Sequence, residues 1–172
     1  MKSKSIGALI AVTLALCAPG ALAQSSARQS FDRLKTLTGK WQGKDTLGHR
    51  VKVAFRLTGK GSALMSEFIE QGENEDMITM IHLDGGRLLA THYCSAGNQP
   101  RMSGTVSADG KTITFDFVDG TNIPSPESGH MLRLVIRLLG PGRHIEEWTY
   151  VENGKEDTVV SDLRRIGAQE NP

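Results

Sequence analysis

Residues 92–101 place an imidazole (His92), a phenol (Tyr93), a thiol (Cys94), two amides (Asn98 and Gln99) and a guanidinium (Arg101) directly after the apolar run Leu88-Leu89-Ala90. Two chemistries are open to such a set. His92 and Cys94 stand two apart on an expected strand, so both side chains leave from one face. His130, at the start of another strand, could join them, and imidazole with thiolate suits zinc or copper. The plainer alternative makes Cys94 a small buried hydrophobe and lets His92 bond the following loop. The lack of a Cys-x-x-Cys or His-x-His spacing favours that alternative. Asn98, Gln99 and Arg101 could instead donate to a ligand carboxylate or phosphate, Arg101 through two parallel bonds. The competing role for the two amides is to satisfy backbone groups in a tight loop, with Pro100 stopping strand pairing.

Trp148 shares a strand face with His144, Glu146 and Tyr150 and could line an interior, although aromatic residues on strands more often serve packing. Glu146 and Glu147 point to opposite faces and so cannot form an acid/base pair. No nucleophile elbow, phosphate-binding loop or His-Glu-x-x-His helix occurs, so a binding protein is favoured over an enzyme and no catalytic residue is assigned.

The elements that carry these residues are short. From Gly39 onward, alternating apolar and polar residues are broken by Gly, Asn and Asp turns every 8–12 residues, the pattern of an all-β chain. Strands are expected at about 39–46, 50–58, 62–71, 76–84, 87–94, 101–107, 111–118, 130–139, 143–152 and 156–165. Their joints, such as Asp84-Gly85-Gly86, Gly140-Pro141-Gly142 and Asn153-Gly154, are of hairpin length, so neighbours must run antiparallel. Closing the meander removes its exposed edges. The expected fold is therefore a single up-and-down β-barrel of about ten strands. Several strands carry apolar residues on both faces, which points to a barrel with a mixed lining. Phe31, Leu34 and Leu37 recur at helical spacing, predicting a short capping helix over 31–38 after a mobile lead-in at 24–30. The irregular stretch 119–129, with Pro124 and Pro126, is expected at the barrel mouth.

Residues 1–23 read as a cleaved signal peptide: Lys2 and Lys4, an apolar run from Ile6 to Cys17, then Ala21-Leu22-Ala23. Export to the periplasm or medium follows, with lipidation of Cys17 as the minority form because Leu16 is large for a lipobox. Cleavage leaves 24–172 as one domain with Cys94 as its single cysteine, so no internal disulfide forms. The 20 basic and 19 acidic residues nearly balance, and losing Lys2 and Lys4 makes the balance slightly negative. That argues against nucleic acid or an anionic membrane as partner. The apolar run is too short for a transmembrane span. A monomer or weak dimer is expected.

The run Phe31-x-x-Leu34-x-x-Leu37-x-Gly39-Lys40-Trp41-x-Gly43 resembles the opening of calycins, the lipocalin and fatty-acid-binding-protein group. In those barrels a short helix leads into a Gly-x-Trp strand, and a basic residue from the last strand packs over the Trp. Arg164 and Arg165 are the corresponding basic residues here, so Gly39, Trp41, Arg164 and Arg165 take structural roles by resemblance. Ten strands look more like the fatty-acid-binding or nitrobindin-type barrel than the eight-stranded lipocalin. Nitrobindin-like domains hold haem through a His near the C-terminus, whereas this sequence has no His after His144. The His92-to-Arg101 segment also looks like one in exported bacterial calycin-like proteins. The polar cluster on an otherwise apolar barrel points to an interior site for a small, partly apolar ligand, oriented by His92, Asn98, Gln99, Arg101 and His130, with Cys94 and Trp148 also among the ligand-binding residues. The alternatives are a zinc-, copper- or haem-dependent protein using His92, Cys94 and His130, and an envelope interaction module without a ligand.

Overall fold

The computed structural model describes residues 19–70 and 76–167. One helix, α1 (Pro19–Lys35), precedes ten strands: β1 (Gly39–Asp45), β2 (Arg50–Thr58), β3 (Ala63–Glu70), β4 (Asp76–Asp84), β5 (Arg87–Tyr93), β6 (Gln99–Val106), β7 (Thr112–Thr121), β8 (His130–Leu138), β9 (Arg143–Glu152) and β10 (Lys155–Arg165). Each strand pairs antiparallel with its neighbours in sequence, and β1 pairs with β10 to close the barrel. Every edge is thereby satisfied. Residues 1–18, most of the predicted signal peptide and Cys17, lie outside the described residues. Among the described residues no helix is long and apolar enough to cross a membrane.

The interior follows from alternation. Val51, Val53 and Phe55 on β2, Leu88 and Ala90 on β5, and Ile113 and Phe115 on β7 are all buried in one cluster. Burying a side chain of this kind contributes about 1.5–3 kcal/mol. Two bulges interrupt the pattern, between Arg101 and Met102 and between Met131 and Arg133. The second leaves Leu132 as the extra residue, opposite no residue of β9. Met131 pairs with Tyr150 and Leu134 with Trp148, so Met131 enters the barrel instead of Leu132. A bulge re-aims side chains in this way. Pro100 does not stop strand pairing as expected. It is the second residue of β6 and pairs with Gly120 of β7, while β5–β6 pairing ends at Thr91 and Arg101.

Helix α1 plugs one end. It is longer than the 31–38 expected and includes 24–30, which are helical, not a loose lead-in. The reason is a complete apolar stripe: Ala27, Ser30, Phe31 and Leu34 are all buried, at the spacing of one helix face. Its end is tightened by bonds from the Thr36 and Leu37 amides to the carbonyls of Arg33 and Leu34, which accommodate the last carbonyls of the helix. Trp41 Nε1 then donates to Leu37 O at 2.7 Å, and the Arg165 guanidinium lies over the indole at 4.2 Å. Arg165 also donates to Thr36 O and Thr38 O, both at 2.7 Å, and to Pro141 O. At Gly39 φ is +132°, and a Cβ would meet Arg165 Nη1 at 2.6 Å, so only glycine fits there. Arg164 has no part in this closure. It pairs opposite Gln42 and is exposed, because alternation turns it away from the indole.

Candidate functional site

At the end opposite α1, the upper halves of the strands enclose a cavity of about 170 Å³. Its apolar wall is formed by Phe68, Met77, Met131, Trp148 and Val159, with Leu47 at the rim. Polar groups are few: His92 and Ser161, both buried, with Asp45, Tyr150 and Asp157. Among the described residues no lysine or arginine lines it.

His92 is the group whose chemistry is unspent. It projects inward because Leu88, Ala90 and His92 share the inner face of β5, and it is 1 % exposed. Its Nδ1 lies 2.9 Å from the hydroxyl of Thr79, the residue opposite it on β4. Its Nε2 has no hydrogen-bond partner among the described residues. A buried polar atom without a partner costs about 1–3 kcal/mol, and such an atom on a cavity wall is where a ligand group would be accommodated. Burial pushes the His92 pKa down from its ordinary 6.5 to about 4, because low-dielectric surroundings disfavour the charged ring. The imidazole is therefore neutral at physiological pH.

This shift makes acid stability a test of the burial. The unfolded chain takes up a proton at His92 near pH 6.5, whereas the folded protein resists it down to about pH 4. The contribution of His92 to stability is thus full above pH 6.5 and falls away as pH drops to 4, by about 3 kcal/mol. Denaturant midpoints measured between pH 7 and 4 should show this loss in wild type, and a smaller loss in His92→Leu. Equal slopes in the two proteins would contradict the assignment.

Trp148 forms the wall beside His92, their ring centroids 4.7 Å apart. Its indole is fixed from below: Nε1 donates to Glu146 Oε2 at 3.2 Å. Glu146 Oε1 lies 3.0 Å from His144 Nε2, and His144 packs edge-on against Trp41 at 4.3 Å. His144, Glu146 and Trp148 alternate along the inner face of β9, as their spacing predicts, at 0, 2 and 9 % exposure. A buried polar column therefore joins the Trp41 closure to the cavity wall. His144 and Glu146 were legible as sharing the Trp148 face, but not as a linked pair.

The other expected ligand-binding residues are placed elsewhere. Arg101 points outward, 57 % exposed at its side chain, and its Nε donates to Asp119 at 2.5 Å. It precedes the inward Met102, so alternation sends it to solvent. Gln99 accepts from the Thr121 hydroxyl at 2.5 Å, tying β6 to β7. Asn98 is buried and donates through Nδ2 to Gly129 O at 2.7 Å. It anchors the loop at 122–129, the part of the expected irregular stretch that β7 does not take up. His130 holds Ser128 O through Nδ1 at 2.7 Å and packs on Phe117. Cys94 follows the end of β5, half-buried, with its backbone closing the turn to Gly97 and Asn98.

His92, Cys94 and His130 do not converge: among the described residues no three His, Cys, Asp or Glu side chains are grouped to hold a metal ion. The donor set proposed for zinc or copper is therefore not assembled. Haem fits no better, because a cavity of 170 Å³ is of the size that accepts a single benzene-like ring.

The residues missed from sequence, Thr79, Met77 and Phe68, carry a signal in retrospect. Met77, Thr79 and Ile81 form one face of β4 by simple alternation, and a threonine on an otherwise apolar face needs a partner.

The fold has relatives among solved structures. Rv2717c from M. tuberculosis superposes with a TM-score of 0.55 at 17 % identity, over 80 % of this chain and 98 % of that one. A protein of unknown function from the DUF3598 family, from Nostoc punctiforme, gives a TM-score of 0.52 at 11 % identity, over 77 % of this chain. The match spans about half of that second chain (49 %). Both likenesses fit a closed antiparallel barrel of the calycin-like shape. No protein-family model matches the sequence, and no curated protein matches it either. At these identities the likeness concerns the fold alone.

Proposed function

We propose that this protein is an exported binding protein that takes a small, partly apolar molecule into the open end of its barrel. The observation that carries the reading is the buried Nε2 of His92, unpartnered among the described residues, in a side chain that lines an otherwise mostly apolar cavity. Phe68, Met77, Met131 and Trp148 remove the ligand from water, and His92 supplies the orienting polar contact, the usual division of labour in a small-molecule site. The residues at 98–101 hold the mouth in shape instead of touching the ligand. Export rests on the leader-like character of residues 1–23.

Native mass spectrometry of protein isolated without denaturation tests this directly. A retained small molecule, lost from Trp148→Ala but kept by Arg101→Ala, is the expected result. Equal loss from both variants, or a molecule retained by Trp148→Ala, would move the site away from this cavity.

A further inference from the structure

The Thr79–His92 contact fixes which kind of hydrogen bond the cavity offers. Thr79 is buried, and its hydroxyl makes its one hydrogen bond among the described residues with His92 Nδ1. A neutral imidazole carries one proton, on one of its two nitrogens. Were that proton on Nδ1, it would point at Thr79, whose own hydroxyl proton would then be buried with no acceptor. With the proton on Nε2, the hydroxyl donates to Nδ1 and a single contact satisfies both groups. Thr79 thereby sets the tautomer, as the partner of one ring nitrogen sets the state of the other. His92, which lines the cavity, then carries a buried N–H donor that has no partner among the described residues.

Charge and size narrow the occupant further. Asp45 and Asp157 line the cavity and, among the described residues, no cation does, so a carboxylate would enter without compensation. The volume of about 170 Å³ is close to that of an engineered cavity of about 150 Å³ that accepts benzene.

We infer that the cavity selects an uncharged, single-ring-sized molecule bearing a hydrogen-bond acceptor, with a ketone or aldehyde carbonyl receiving the Nε2–H of His92. This rests on the proposed binding role of the same cavity and adds the ligand's class. Thr79 is a positioning residue in it, acting through His92.

Acetophenone, ethylbenzene and benzoate are matched probes: similar in size, but carrying a carbonyl, no acceptor and a charge respectively. Displacement of the Trp148 emission, or calorimetry, should give acetophenone about a tenfold lower Kd than ethylbenzene, with benzoate weakest. In Thr79→Val the acetophenone advantage should shrink several-fold while ethylbenzene binds as before; a merely structural role would weaken both together. The ¹⁵N shifts of His92 in the free protein should report a protonated Nε2 and an unprotonated Nδ1, which needs no variant. Equal binding of acetophenone and ethylbenzene, or a proton on Nδ1, would overturn the inference while leaving the cavity as a binding site. Failure of all three probes to bind would overturn both readings. Tightest binding by benzoate would overturn the selection for neutral ligands.

Discussion

Glu146→Ala should destabilise the barrel by about 3–5 kcal/mol, the usual cost of removing one partner from a buried polar pair. The carboxylate is 2 % exposed and is the acceptor for both the Trp148 indole and the His144 ring. Alanine leaves both groups buried without that partner, at about 1–3 kcal/mol each, and adds a cavity. Glu146→Gln keeps one carbonyl oxygen and should lose less than half as much. The two effects should separate in function as well. With its indole released, Trp148 no longer holds the cavity wall, so Glu146→Ala should weaken acetophenone more than its stability loss explains, and Glu146→Gln, which keeps an acceptor, should weaken it less. Urea unfolding checks the first statement and probe titration the second. An alanine variant as stable as wild type would show that the column His144–Glu146–Trp148 does not support the interior.

Trp41→Ala should cost a similar amount, about 3–5 kcal/mol, and lower Tm by about 10 °C. The indole is buried and touches three elements at once: it donates to Leu37 O after the helix, packs on His144 of β9, and lies under Arg165 of β10. Without it, the turn that seats α1 loses its anchor to the barrel floor. Trp41→Phe keeps the apolar contact and should recover more than half of the loss. Arg165→Ala should be milder, because its partners Thr36 O, Thr38 O and Pro141 O lie at an exposed position where water replaces the lost donors. Thermal unfolding of the three variants gives the order directly. Arg165→Ala falling below Trp41→Ala would mean that the carbonyl bonds, and not the indole, close the barrel.

The barrel was readable because its signals are local. Turn residues at Gly85, Gly110, Gly140 and Gly154 take positive φ, and the alternation between them fixes the face of nearly every strand. The helix–Gly39–Trp41–Arg165 closure was readable through resemblance, since each of its parts is a recognisable residue at a recognisable place. Alternation also contained the answer for Arg101: its neighbour Met102 is apolar and inward, so the guanidinium had to be outward. The density of polar groups at 92–101 drew attention there, but most of that density serves the loop. Asn98, Gln99 and His130 satisfy backbone or neighbouring side chains at the rim, the requirement of any turn that must cover a barrel edge.

What sequence could not supply was which paired side chains bond. The two-residue turn Gly85-Gly86 sets Asp84 opposite Arg87 and so Thr79 opposite His92, but it does not show that the hydroxyl and the ring share a hydrogen bond. The bulge at Leu132 shifts Met131 into the cavity by one residue, a change invisible to a period-two pattern. The cavity itself is a balance of volumes over seven strands and one turn. No single segment encodes it.

The most direct measurement is a crystal structure of the protein with acetophenone. The ring should lie against Trp148, Phe68 and Met131 at the open end, with its carbonyl oxygen within hydrogen-bond distance of His92 Nε2. A ligand bound at the rim beside Arg101, or a closed interior with Met131 filling the space beside His92, would contradict the account.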